Sequence, residues 1–146
     1  MTVWRLLWTL DGTPVLLGGL FYALFSRLWF TYIPWSGNYH GAFSEKFMQS
    51  KAKVRSAVIR FCAGCMMSVL VGLMSRVLQL VLLEAFLKLG LFISLGIATV
   101  SLVQYVNGNR SRRGEILLET FFQIVAMEGI CAIWAWWQNA NGTPWL

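Results

Sequence analysis

Lys46-Phe-Met-Gln-Ser-Lys51-Ala-Lys53-Val-Arg55-Ser-Ala-Val-Ile-Arg60 runs straight into Phe61-Cys-Ala-Gly64-Cys-Met-Met-Ser68-Val-Leu-Val-Gly72-Leu-Met-Ser75. Lys46, Lys51, Lys53, Arg55 and Arg60 crowd the first half, and the second half has no charge at all. Such a boundary is what a chain shows where it passes from a head-group zone into hydrocarbon. A second basic group, Arg110-Ser-Arg112-Arg113, stands ahead of another long apolar run. The two basic connectors and the apolar runs between them decide the fold class: an all-α integral membrane protein.

Composition agrees. The chain has 146 residues, 58% hydrophobic and 12% charged, where soluble domains are about a quarter charged. A soluble fold of this length could not hide so much apolar surface. Mean hydropathy is +0.62. The net charge of +6 does not point to nucleic acid, because the cations flank apolar spans and no recognition motif accompanies them.

Four crossings are expected, at about 14–33, 57–75, 85–106 and 115–137, within one domain. Thr13-Pro14 suits a helix start, with Thr as cap and Pro in the first turn, and Pro34-Trp35-Ser36-Gly37 ends that span. Trp4, Arg5, Trp8 and Asp11 before it read as an interfacial lead-in. A single helix from Ala57 to Val106 is far too long for one crossing, so a turn is required within Arg76–Ala85. Asn107-Gly108-Asn109 marks the next turn. The connectors are then about 34–56 and 107–114. No cleavable leader is expected: one Arg, an early Asp11 and no small-residue cleavage site argue that the first span stays in the mature protein.

Four crossings put both termini on one side and the basic connectors together on the other. Arg27, Lys46, Lys51, Lys53, Arg55, Arg60, Arg110, Arg112 and Arg113 fall on the connector side, against Arg5, Arg76 and Lys88 opposite. The positive-inside rule places the connectors in the cytoplasm, or in the matrix or stroma of an organelle, with the termini outside. Trp4, Trp8, Trp134, Trp136, Trp137 and Trp145 read as an outer aromatic belt, Trp29 and Trp35 as inner-interface markers. Gly64, Ser68 and Gly72 form a small-residue ridge with a four-residue period, and Gly90, Ser94 and Ala98 form another. Ridges of this kind let membrane helices approach closely. Spans two and three therefore look built to pack on each other, in a fold of two hairpins.

The chain also resembles an uncharacterised membrane family, domain of unknown function 1761. Tyr22-Ala-Leu-Phe25-Ser-Arg27-Leu-Trp29 is similar to the end of that family's first span, and Gly90-Leu-Phe-Ile-Ser94-Leu-Gly96-Ile97 to the core of its third. Asn107–Arg110, Gly129 and Trp134 match its polar turn, late glycine and terminal tryptophan. The Pro that usually follows the Tyr is absent, and Leu118-Glu119-Thr120-Phe121 stands where the family has a polar run, so no residue role carries over. The resemblance implies a four-helix membrane fold and no particular activity.

Glu128 is the sharpest functional candidate, because it falls past the middle of the fourth span. An ionisable group at that depth is costly unless neutral, paired or hydrated. It reads either as a proton- or cation-responsive carboxylate or as a packing and subunit-contact residue. Glu119 lies at the depth where Arg27 and Arg60 enter, and a pair with either would satisfy both charges. Gln123, one turn further, and Gln104 of the third span complete a polar set that reads as a path or as interhelical hydrogen bonding. Glu84 and Lys88 have ion-pair spacing. Arg110, Arg112 and Arg113 set topology, or hold anionic lipid or an acidic partner. Cys62 and Cys65 form a C-x-x-C inside an apolar helix and read as small apolar filler. The sequon Asn141-Gly142-Thr143 precedes Pro144 next to the membrane and is expected to stay unused.

No Ser-His-Asp set, metal quartet or phosphate loop is visible, and His40 is the sole histidine. Neither a catalytic role nor a metal or other cofactor is expected. The first reading is a non-catalytic accessory or structural subunit that contacts lipid and other membrane subunits, or itself. The alternative is a small oligomeric transporter or channel-like protein using Glu128 and Glu119 with Gln104 and Gln123.

Overall fold

The computed structural model describes residues 3–32, 50–108 and 113–141, and all regular structure among them is helical. The elements are α1 (Val3–Trp8), α2 (Gly12–Tyr32), α3 (Ser50–Val77), α4 (Leu83–Asn107) and α5 (Arg113–Asn141). Among the described residues, three stretches are long and apolar enough to cross a membrane: Ala57–Val77 in α3, Leu83–Asn107, and Ile116–Asn141 in α5. Lys46, Trp35, Arg110, Arg112, Trp145 and the sequon beyond Asn141 lie outside the described residues.

The boundaries shift slightly from those read in the sequence. α2 begins at Gly12, so Thr13 already lies inside the helix rather than capping it. α3 extends back through Arg55, Lys53 and Lys51 to Ser50. α5 runs on to Asn141. The required turn falls just after Val77. Leu80 N–H donates to the Ser75 carbonyl at 2.9 Å and Gln79 N–H to the Arg76 carbonyl at 3.2 Å. These two bonds close the helix end when one residue adopts the left-handed conformation, and here Gln79 does so, at φ 51°. Glycine takes that conformation without strain, and other residues cost about 1 kcal/mol or more. Gln79→Gly should therefore raise stability by about 1 kcal/mol, read as a higher thermal unfolding midpoint in detergent; an unchanged or lower midpoint contradicts this account of the turn.

The helices pair as α2 with α3 and α4 with α5, and α5 also lies against α2 and α3. This corrects the expectation that the second and third spans pack together, since α3 and α4 barely touch. Both small-residue ridges are used, but against other helices. A Cβ on Gly64 would sit 2.5 Å from the Tyr22 Cβ and 2.9 Å from the Gly19 Cα, so α3 lies almost backbone to backbone on α2. A Cβ on Gly72 would meet the Trp134 ring of α5 at 2.5 Å. A Cβ on Gly90 would meet Cys131 Sγ and Glu128 Oε1 of α5, each at 3.0 Å. Ser94 is buried and Ala98 half-buried on the same helix.

What is inside and outside is inverted relative to a soluble bundle. Ser26, Ser68, Ser75 and Ser94 are buried, while Leu16, Leu20, Leu24 and Leu28 stand exposed in a row along α2. Met66, Leu70 and Met74 on α3 and Phe92, Leu95 and Val103 on α4 are exposed as well. Only 22%, 22% and 28% of an 18-residue apolar window in each of the three stretches is buried within the protein. Exposed apolar surface on that scale needs hydrocarbon as its solvent, with packing left to small side chains and hydrogen bonds. The protein is therefore a helical, multi-pass membrane protein.

The tryptophans divide. Trp4, Trp8 and Trp136 are exposed. Trp134 is only 1% exposed and sits in the core, so it does not belong to the outer belt. Other large aromatics fill the seam between α2 and α5. Tyr22 and Phe25 contact Phe122 at ring separations of 5.2 and 5.6 Å, and Trp29 tilts against Phe25 at 5.6 Å.

Candidate functional site

A single hydroxyl joins three helices. Ser68 Oγ donates to the Pro14 carbonyl of α2 at 3.0 Å, and Trp134 Nε1 of α5 donates to Ser68 Oγ at 2.8 Å. All three residues are buried. Pro14 and Trp134 thus contribute polar atoms to the middle of an apolar core, each satisfied there. At the end of the bundle nearest α1, the Arg76 guanidinium donates to the Thr9 hydroxyl and carbonyl, tying α3 to the α1–α2 junction. Trp137 Nε1 donates to Asp11 at 3.3 Å beside it. Glu84 and Lys88 form their expected pair at 2.6 Å, almost fully exposed.

An open cleft of about 540 Å³ runs along α4 and α5, with Met67 of α3 at its edge. Gln104, Glu119 and Gln123, grouped from the sequence, all line it, joined by Ser101 and Thr120. Met67, Ile93, Ile97, Val100 and Ile116 supply its apolar lining. Gln123 Nε2 donates to the Tyr22 hydroxyl at 2.8 Å, while its Oε1 is buried with no hydrogen-bond partner. Thr120 is turned inward onto its own helix, its hydroxyl donating to the Ile116 carbonyl at 2.6 Å. Arg60 lies within electrostatic reach of both Tyr22 and Glu119, whereas Arg27 is exposed. Of the two expected partners for Glu119, Arg60 is thus its electrostatic neighbour.

Glu128 is not among the residues that line this cleft. It lies on the seam of α4 and α5 against Gly90 and Cys131, half-buried, with Oε1 unpartnered. The buried Ser94 hydroxyl, one turn along α4 from Gly90, is likewise unpartnered. The polar residues read as one set therefore occupy two places. Arg113 stacks over the Tyr105 ring at 5.2 Å, a cation–π contact between the adjoining ends of α4 and α5. Cys62 is exposed and free, and Cys65 faces Gly19. Among the described residues, no three His, Cys, Asp or Glu side chains gather as a metal would require.

Tyr22, Met67, Gly96, Ser101, Thr120 and Trp134 belong to these sites but carried no such signal in the sequence. Their importance comes from which helices adjoin, which periodicity on one helix does not state. No family model, curated protein or solved structure matches the chain.

Proposed function

We propose that the chain crosses a bilayer four times, with both termini on the outer face, and that it works without catalysis by associating with other membrane subunits. α2 supplies the fourth crossing. Its 21 residues span about 31 Å at roughly 1.5 Å per residue, close to the ~30 Å thickness of a hydrocarbon core. It pairs lengthwise with α3, and the start of α2 meets the ends of α3 and α5 through Thr9, Asp11, Arg76 and Trp137. The opposite end carries Arg55, Arg60 and Arg113, which favours the cytoplasmic, matrix or stromal side for that end. Four crossings are also what the resemblance to the domain of unknown function 1761 family implies.

The observation that carries the association reading is Glu128. Midway along Ile116–Asn141, it sits half-exposed on the α4–α5 seam, away from the cleft, with a buried carboxylate oxygen lacking any partner. A carboxylate at such depth costs roughly 3 kcal/mol or more when nothing receives it. A polar group from an adjoining transmembrane helix, meeting the exposed part of the half-exposed side chain, would lower that cost. Transport through one path would require Glu128 to join Glu119, Gln104 and Gln123, and it stands apart from them.

Extraction in a mild detergent, followed by mass spectrometry of co-migrating proteins, tests this. The wild type should carry at least one other membrane protein in fixed ratio. Glu128→Leu should lose it at least tenfold while remaining helical and monodisperse. A small homo-oligomer without stoichiometric partners would defeat the accessory role. Proton or cation flux in liposomes, abolished by Glu128→Gln, would return the transport reading to first place.

A further inference from the structure

We infer that the lipid-facing surface of the bundle fits a thin bilayer, one with a hydrocarbon layer of about 24–27 Å rather than the more usual ~30 Å. The inference rests on the four-crossing reading and is independent of what Glu128 contacts.

Two polar layers bracket the bundle. In the outer one the Arg76 guanidinium is held on Thr9, and Asp11 accepts from the Trp137 indole N–H at 3.3 Å. Arg76 and Asp11 are electrostatic neighbours as well. In the inner one Arg60 lies within electrostatic reach of Glu119 and Tyr22. Arg27 belongs to the same inner layer. α2 and α3 run antiparallel with Tyr22 against Gly64, which brings Arg27 within a turn of Arg60 in depth.

The interval between the layers is short on each helix that joins them. Arg27 lies sixteen residues beyond Asp11, Arg76 sixteen beyond Arg60, and Trp137 eighteen beyond Glu119. At roughly 1.5 Å per residue these intervals are about 24, 24 and 27 Å. Gly12–Ser26 and Phe61–Ser75 carry no charge. Any tilt of a helix shortens the depth it covers. A long cationic side chain can stretch from within the hydrocarbon to the interface, so that a short apolar stretch serves a thicker bilayer. Here that reach is already used: Arg76 is engaged with Thr9, and Arg60 is held beside Tyr22 and Glu119.

The exposed surface repeats the limit. Arg27 is exposed at the inner end of α2. On α4, Glu84 and Lys88 pair at 2.6 Å, also in the open. Gly90 packs on Glu128 and Cys131 of the antiparallel α5, so Lys88 sits at least a turn inside the level of Trp137. Its side chain turns outward to reach Glu84. An open ion pair at that depth sets the hydrocarbon edge on this face no farther out than about Glu84.

Reconstitution into fluid phosphatidylcholine bilayers of graded chain length, with hydrocarbon layers from about 22 to 34 Å, tests the match through the thermal unfolding midpoint. The midpoint should peak at about 24–27 Å and fall by about 5 °C or more at about 33 Å. The triple variant Arg27→Leu, Glu84→Leu, Lys88→Leu lengthens the apolar surface at both ends. Its peak should move toward thicker bilayers by about 3 Å or more. A wild-type peak at about 30 Å or beyond, or a flat profile, would overturn the inference. A triple variant that peaks where the wild type does would overturn these charges as the source of the match. Labelling of Trp4→Cys and Arg27→Cys in sealed vesicles with an impermeant maleimide, against the wild-type background, reads the crossing of α2 separately. The two sites should label from opposite sides; labelling from one side would overturn the four-crossing reading, and the inference with it.

Discussion

Gly64→Leu is expected to abolish the folded bundle, whereas Gly96→Leu on the neighbouring helix leaves it intact. The two substitutions add the same side chain to a membrane helix, so propensity and hydrophobicity cancel in the comparison. What differs is the neighbour. At Gly64 even the first carbon would lie 2.9 Å from the Gly19 Cα and 2.5 Å from the Tyr22 Cβ, and a backbone atom cannot rotate out of the way. α3 must then move off α2 over the full length of their contact. That also pulls Ser68 away from the Pro14 carbonyl and loosens the Tyr22–Gln123 hydrogen bond. Overpacking a core by a few methylenes costs about 1–3 kcal/mol when side chains can shift. Separation of two backbones exceeds that range and consumes much of the roughly 5–15 kcal/mol by which proteins are stable. Fluorescence-detected size exclusion, with thermal challenge, checks both variants. A Gly64→Leu protein that is monodisperse with an unchanged midpoint would mean that α2 and α3 do not touch at this ridge.

Much of this architecture is legible in the residues, and the illegible part has a common cause. The alternation of basic connectors with apolar runs yields the helical class, and the length limit on a crossing places the turn after Arg76. The four-residue ridges announce close helix contacts. They do not say with which helix, because periodicity is a property of one helix face. The ridge of Gly64, Ser68 and Gly72 turns to α2 and α5, and that of Gly90 and Ser94 to α5. The turn carries no local signal, because Gln79, not glycine or asparagine, occupies its left-handed position.

Trp134 shows the same limit. As one of several tryptophans near the end of an apolar run, it shares its neighbours' composition and periodicity, but Trp136 faces outward while Trp134 points into the bundle. The cleft is still less visible beforehand, because it arises from how α4 and α5 lie together beside Met67 of α3. Gln104, Glu119 and Gln123 could be grouped by depth alone, since antiparallel helices bring equal depths together. Glu128 could not be separated from them by depth, because the difference is one of helix face: nine residues from Glu119 is two and a half turns.

Replacement of Trp134 by alanine is the second large loss, and its decomposition discriminates between packing and hydrogen bonding. The indole fills the space over Gly72 and is 1% exposed, so truncation leaves a cavity worth about 3–5 kcal/mol by analogy with large aromatic deletions in cores. It also strands Ser68 Oγ without its donor, though the hydroxyl retains the Pro14 carbonyl as acceptor. Trp134→Phe keeps most of the ring volume and removes only the indole N–H, which should cost about 1 kcal/mol, the usual net value of one hydrogen bond. Ser68→Ala should cost about 1–2 kcal/mol, because it leaves both the Trp134 N–H and the Pro14 carbonyl short of a partner in an apolar surround. The double variant Ser68→Ala with Trp134→Phe should then cost less than the sum of the singles, by roughly 0.5–1.5 kcal/mol, because each single change already breaks the shared bond. Denaturant titration in detergent, followed by circular dichroism at the helix band, measures all four variants. Strict additivity would show that the Trp134–Ser68 hydrogen bond contributes nothing, and that the indole holds α5 to α3 by shape alone.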